Sequence, residues 1–114
     1  MQLFIHITNH TETVNPIMSK LMEYGITGAS VVDCEGMLSV INKDTVDAPS
    51  MFGGLRQFLN PEHENNKMIF ILLKDEDISR AVDAIHEVAG SLKLPNKGIM
   101  FTLPVTRWEG VNKE

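Results

Sequence analysis

The run Met68-Ile69-Phe70-Ile71-Leu72-Leu73 constrains this fold more than any other part of the chain. It is strand-length, bracketed by Lys67 and Lys74, and does not alternate. A strand buried on one face alternates apolar with polar residues, whereas this one offers apolar side chains to both faces. The chain has 114 residues, enough for one domain over 1–114 with one core. Its two readable helices can cover one face of a sheet. Something else must cover the other, most simply a second copy of the same chain.

The remaining elements follow from local pattern. Leu3, Ile5 and Ile7 alternate with Phe4, His6 and Thr8, which predicts a first strand. Asn15-Pro16 predicts a helix start, and Gly25 predicts its end just after Tyr24. Val14, Ile17, Met18 and Leu21 form its apolar stripe. A second strand is expected from Gly28 to about Ile41, with Val32 and Cys34 on one face and Val31, Asp33 and Glu35 on the other. Lys67 to Leu73 is the third strand. Asp75 is expected to cap a second helix whose face is Ile78, Ala81, Val82, Ile85, Val88 and Leu92. A turn over Leu94–Gly98 then leads to a fourth strand, Ile99 to Val105, where Pro104 suggests an edge.

Between the second and third strands, Asn42 to Asn66 is too long for an ordinary connection. It carries the apolar set Met51, Phe52, Leu55, Phe58 and Leu59 around Arg56, readable as a short docked helix or a partner-binding segment. The tail Glu109–Glu114 is polar and expected to be loose. The order strand, helix, strand, long loop, strand, helix, strand predicts an α+β, ferredoxin-like βαββαβ fold. A four-stranded antiparallel sheet would carry both helices on one face.

Composition narrows function. A net charge of −5 argues against nonspecific nucleic-acid binding. No apolar stretch reaches membrane-spanning length, and no signal-peptide pattern opens the chain, so a cytoplasmic location is expected. The single cysteine, Cys34, permits no intramolecular disulfide and reads as a small hydrophobe. His6, His10, His63 and His86 match no zinc spacing, and Glu62-His63-Glu64 is only a local cluster, so no metal site is expected. No pattern of nucleophile, base and oxyanion site is visible, so no catalytic residue is assigned.

Gly25-Ile26-Thr27-Gly28-Ala29-Ser30-Val31-Val32 resembles the segment after the first helix of PII signalling proteins. Gly36 matches a glycine just before that family's long T-loop. Asp77-Ile78 and the helix after them match its second helix, and Gly98-Ile99-Met100-Phe101 through Val105-Thr106-Arg107 is similar to its last strand. The resemblance spans nearly the whole chain outside the long loop. It implies a homotrimer that binds ATP or ADP, often with 2-oxoglutarate, in clefts between subunits and signals to a partner protein through the T-loop, here 42–66; AMP is a further candidate ligand for this chain. It implies ligand-facing positions at Gly28, Ser30, Gly36, Leu73, Lys93, Lys97, Gly98 and Arg107; within the loop, the apolar set itself supplies the candidate partner contacts Met51, Phe52, Leu55, Arg56 and Phe58.

The departures bear on the ligand. Two family arginines and a lysine that hold phosphate fall on Gly110, Asn112 and Ile99, and an adenine-site glutamate falls on Ile71. Phosphate binding needs several donors at once, so these losses weaken an ATP site. The only tyrosine is Tyr24, so the loop has no tyrosine to modify. A PII-like relative is implied, with a divalent-metal-binding trimer of the cation-tolerance type as the alternative. Lys93, Lys97 and Arg107 remain as cations for an anionic ligand; read without the family, they are surface charge.

Overall fold

The computed structural model describes residues 1–37 and 65–111. Its elements are β1 (Gln2–Thr8), α1 (Val14–Glu23), β2 (Ser30–Glu35), β3 (Asn65–Leu73), α2 (Ile78–Ala89) and β4 (Ile99–Pro104). Short 3₁₀ turns at Thr11–Thr13 and Asp75–Asp77 lead into the two helices. The sheet runs β2-β3-β1-β4, every neighbouring pair antiparallel. This is the α+β, ferredoxin-like arrangement that the element order predicts.

Register assigns the two faces. Phe4 lies opposite Ile71, and His6 opposite Ile69 and Met100. These side chains point toward the helices, because successive strand residues alternate faces. Phe4, Ile69, Ile71 and Leu73 are buried there with Val14, Ile17 and Leu21 of α1 and Ala81, Ala84 and Ile85 of α2. The alanines on α2 are small enough to bring the helices together over the sheet.

The opposite face is also apolar. Its rows are Leu72–Leu3–Leu103, Phe70–Ile5–Phe101, and Val32–Met68–Ile7–Ile99. Ile99 is 56% exposed, Leu103 47%, and Phe101 and Val32 41% each. No described helix packs there. The unbroken run of β3 therefore divides by parity: Ile69, Ile71 and Leu73 face the helices, while Met68, Phe70 and Leu72 face outward.

Several boundaries differ from expectation. α1 begins at Val14, so Asn15 and Pro16 lie inside its first turn. Proline is tolerated there because the first four N–H groups have no helical partner. The entry is set upstream, where the Thr13 hydroxyl donates to the His10 carbonyl (2.6 Å). Asp75 does not cap α2; its carboxylate accepts from Gln2 Nε2 at 3.2 Å, and α2 starts at Ile78. Leu92 lies beyond α2, which stops at Ala89 where Gly90 takes φ +79°. β2 starts at Ser30, two residues later than expected, and β3 at Asn65, two earlier. The loop residues 42–64, including the apolar set around Arg56, lie outside the described residues, as do His63 and 112–114.

The end of α1 follows the sequence closely. Gly25 adopts φ +80°, Gly25 N–H donates to Met22 O, and Ile26 N–H donates to Leu21 O, both at 2.9 Å. This pair of bonds is a Schellman cap, and Ile26 and Leu21 are both buried behind it. Two further contacts tie α1 to α2. The Tyr24 hydroxyl donates to Glu87, and Arg80 Nη1 donates to the Tyr24 carbonyl at 2.7 Å. The Glu87 carboxylate holds the Tyr24 phenol above its ordinary pKa, and the same hydrogen bond holds Glu87 below its own.

Candidate functional site

Antiparallel pairing sorts the chain's termini and loops between two ends of the sheet. At one end lie the base of the long loop (Glu35 opposite Asn65), the end of β1 (Thr8 opposite Lys67) and the start of β4 (Ile99 opposite Ile7). At the other end lie Gln2, Leu73 and Pro104. The turn over Leu94–Gly98 therefore shares an end with the base of the long loop.

The expected ligand residues divide between these ends. Gly36, Lys93, Lys97 and Gly98 belong to the loop end. Leu73, the last residue of β3, and Arg107, three residues past the end of β4, belong to the far end. Gly28 and Ser30 enter β2 from that side, with Ser30 opposite Phe70 on the outward face. Six residues of β4 separate Lys97 from Arg107, a rise of roughly 20 Å. One chain cannot bring both onto a small ligand along that strand.

Individual positions add detail. Leu73 is 0% exposed and packs in the core, so its side chain lines no open surface of the single chain. Gly28 has nothing within 4 Å of where a Cβ would stand, so local packing does not require glycine there. At Gly36 a Cβ would come within 2.8 Å of Asn66 Nδ2. Gly98 is the tightest. It takes φ +95°, and a Cβ would stand 2.5 Å from the Ile7 carbonyl oxygen. The turn is therefore pressed against the end of β1, a fit only glycine allows.

The charges are unevenly partnered. Lys20 pairs with Glu23 and Glu87, Lys67 with Asp33, and Arg80 with Asp77. Among the described residues, Lys93, Lys97 and Arg107 have no carboxylate at ion-pair distance. In a chain of net charge −5, these are cations left available to an anion.

Sequence reasoning missed what holds the turn. His6 is fully buried, and its Nδ1 lies 3.0 Å from the Ile99 carbonyl. A carbonyl only accepts, so Nδ1 carries the proton and donates. His6 Nε2 is buried with no hydrogen-bond partner among the described residues. Burial pushes the His6 pKa down, partly opposed by the bond to Ile99. His10 reaches the same turn, its Nε2 donating to the Asn96 carbonyl. The available signal was alternation: His6 shares a face with Phe4, and a histidine on an inward face needs a partner.

Cys34 lies opposite Asn66, at the loop end of the outward face with Val32. Burial, then the neighbouring Asp33 carboxylate, raise its thiol pKa, which is the reverse of what a nucleophile needs. No group of three or more His, Cys, Asp or Glu among the described residues is placed to hold a metal ion. No helix among them is long and apolar enough to cross a membrane.

No protein-family profile matches the chain, and no curated protein matches it in sequence. Solved structures do match. A crystal structure of the Arabidopsis thaliana PII protein bound to citrate superposes with a TM-score of 0.61 at 18% identity, covering 92% of this chain and 74% of that one. At that identity the likeness establishes the fold.

Proposed function

We propose that this protein is a PII-like regulator that assembles as a homotrimer, binds a small anionic ligand between subunits and signals through the loop 42–66. The observation that carries this reading is the outward sheet face. It is apolar over three rows, one of which spans all four strands, in a fold shared with a solved PII protein. An apolar surface of this extent is covered in a stable protein, and turning this face of three copies toward a shared axis covers it with no other partner.

Assembly also accounts for the divided ligand residues. Lys93, Lys97 and Gly98 on one subunit and Arg107 on the next can meet in a cleft, although within one chain β4 holds them apart. The chemistry supports an anion bound by few cations. ATP, ADP and AMP are candidates through the PII likeness. Citrate is another, since the matched PII structure holds it. Loss of cations at Gly110, Asn112 and Ile99 favours the smaller or less charged of these. The regulated partner is a protein met by Met51, Phe52, Leu55, Arg56 and Phe58. The role is regulatory rather than enzymatic, exercised in the cytoplasm. Ligand would act by favouring one loop arrangement over another, limited by its differential affinity for the two.

Native mass spectrometry of the untreated protein, titrated with ATP, ADP, AMP and citrate, tests this reading. The expected result is a species of three 12.7 kDa chains that takes up one of these ligands saturably, three per assembly. A monomer carrying no ligand would overturn it.

A further inference from the structure

We propose that the end of β1 is a proton-sensitive clasp: His10 holds the Leu94–Gly98 turn by the Asn96 carbonyl, His6 holds the first residue of β4 by the Ile99 carbonyl, and a proton on the buried His6 ring loosens the turn and the start of β4. The clasp stands on contacts within one chain, so it holds whether or not the cleft binds an anion. If the cleft does, the clasp regulates it, because Lys93 and Lys97 ride on that turn.

Three contacts dock the turn, and they are not equivalent. Gly98 presses on the Ile7 carbonyl through shape alone. His10 donates from Nε2 to Asn96 O, while its Nδ1 lies 3.4 Å from Glu12 Oε1. His6 is different. Its Nδ1–H is committed to Ile99 O, so a second proton must go on Nε2, where no acceptor waits among the described residues. A buried charge without a partner is strongly disfavoured. Relief comes from opening β4 away from β1, which exposes the ring to water.

The surroundings offer the charged ring no help. Across the sheet, His6 faces Ile69 on β3 and Met100 on β4. On β1 its neighbours on that face are Phe4 and Thr8. The helices above present Val14, Ile17 and Leu21 from α1, and Ala81, Ala84 and Ile85 from α2. The same face carries Lys67, opposite Thr8 and paired with Asp33. His10 and Glu12 lie beyond the strand end, and His86 and Glu87 are exposed on α2. None of these carboxylates touches His6 Nε2.

The sign follows from linkage. The folded His6 pKa is lowered from the ordinary 6.5, so below that value the opened state binds more protons than the closed one. Closure is therefore fully favoured above about pH 6.5 and is lost as pH falls toward the folded value.

Amide hydrogen exchange on the full chain, with imidazole ¹⁵N spectra, tests the clasp on wild type, His6→Asn and His10→Gln. Asparagine keeps a donor where Nδ1 stands but does not titrate. In wild type, protection over residues 94–104, corrected for chemical exchange, should fall about tenfold between about pH 7.5 and 5.5, while α1 keeps its protection. His6→Asn should abolish that dependence, and His10→Gln should weaken protection of the turn while leaving the His6-borne dependence in place. The His6 spectrum should show the Nδ1–H neutral tautomer and titrate below the ordinary value. Flat wild-type protection overturns the clasp without recourse to any variant. So does protection lost evenly along the chain, or a His6 ring that titrates at the ordinary value.

Discussion

The two faces of this sheet carry the same kind of side chain and differ in what covers them. On one, Phe4, Ile69, Ile71 and Leu73 lie under two helices and are all but inaccessible. On the other, Ile99, Phe101 and Leu103 keep 41–56% of their surface exposed, although their neighbours Ile5 and Phe70 are just as apolar. The helices are a covalent cover supplied by the chain itself. The other face has no such cover among the described residues. The comparison teaches that the sequence makes both faces of the sheet apolar, while the described residues cover only one of them.

The sharpest way to break this comparison is to place one charge on each face, one residue apart on β3. Ile71→Asp puts a carboxylate in a closed apolar core and is expected to unfold the chain, read as loss of the far-ultraviolet circular dichroism of the folded state. Phe70→Asp faces outward and is expected to leave a folded chain of monomer mass by light scattering. If Phe70→Asp leaves the assembly mass unchanged, the outward face is not where copies meet. A milder version compares truncations. Ile71→Ala should cost about 2–5 kcal/mol of unfolding free energy, as core deletions do. Phe70→Ala should instead show its cost as a midpoint that depends on protein concentration, because the lost burial belongs to association.

Much of this contrast was legible in residues 68–73, since only a strand with two apolar faces lacks alternation. The Schellman cap at Gly25 and the core face of α2 were legible for similar reasons: each is a local pattern with one physical meaning. What was not legible depended on contacts distant in sequence. Asp75 reads as a helix cap until β1 brings Gln2 to its carboxylate. His6 and His10 read as unremarkable polar residues until β4 arrives beside β1 and presents Ile99 O and Asn96 O. The candidate ligand residues came from resemblance, and neither periodicity nor spacing could show that β4 divides them.

A smaller effect compares two glycines, one in each kind of turn. Gly25 and Gly98 both have positive φ. At Gly25 a Cβ would meet only Arg80 Nη1 at 3.9 Å, an ordinary contact, so Gly25→Ala should cost the conformational term of about 1–2 kcal/mol. At Gly98 the Ile7 carbonyl stands 2.5 Å away and cannot yield without disturbing the β1–β4 ladder, so Gly98→Ala should cost that term and more. Denaturant unfolding of the two variants checks the order. Equal losses would mean that the turn is not pressed against β1, and the clasp would lose one of its three contacts.

The smallest expected effect uses Cys34 as a reporter at the rim of the outward face. Its thiol pKa is raised, first by burial and then by Asp33, so alkylation at neutral pH should be slower than for a free thiol, which reacts as thiolate. Assembly through the outward face adds cover to the row of Val32 and Met68, immediately beside Cys34. Dispersing the copies with Phe70→Asp is therefore expected to speed alkylation about two- to fivefold, with Asp33 still opposing it. The rise should be suppressed when wild-type protein is concentrated, and Phe70→Asp should show no concentration dependence. A rate unmoved by disassembly would place the β2 edge outside the interface and confine the contact to β3, β1 and β4. That outcome would keep the covered-face argument and shrink the surface it concerns. An acceleration would extend the interface to the base of the long loop, the position from which assembly could act on the loop's arrangement.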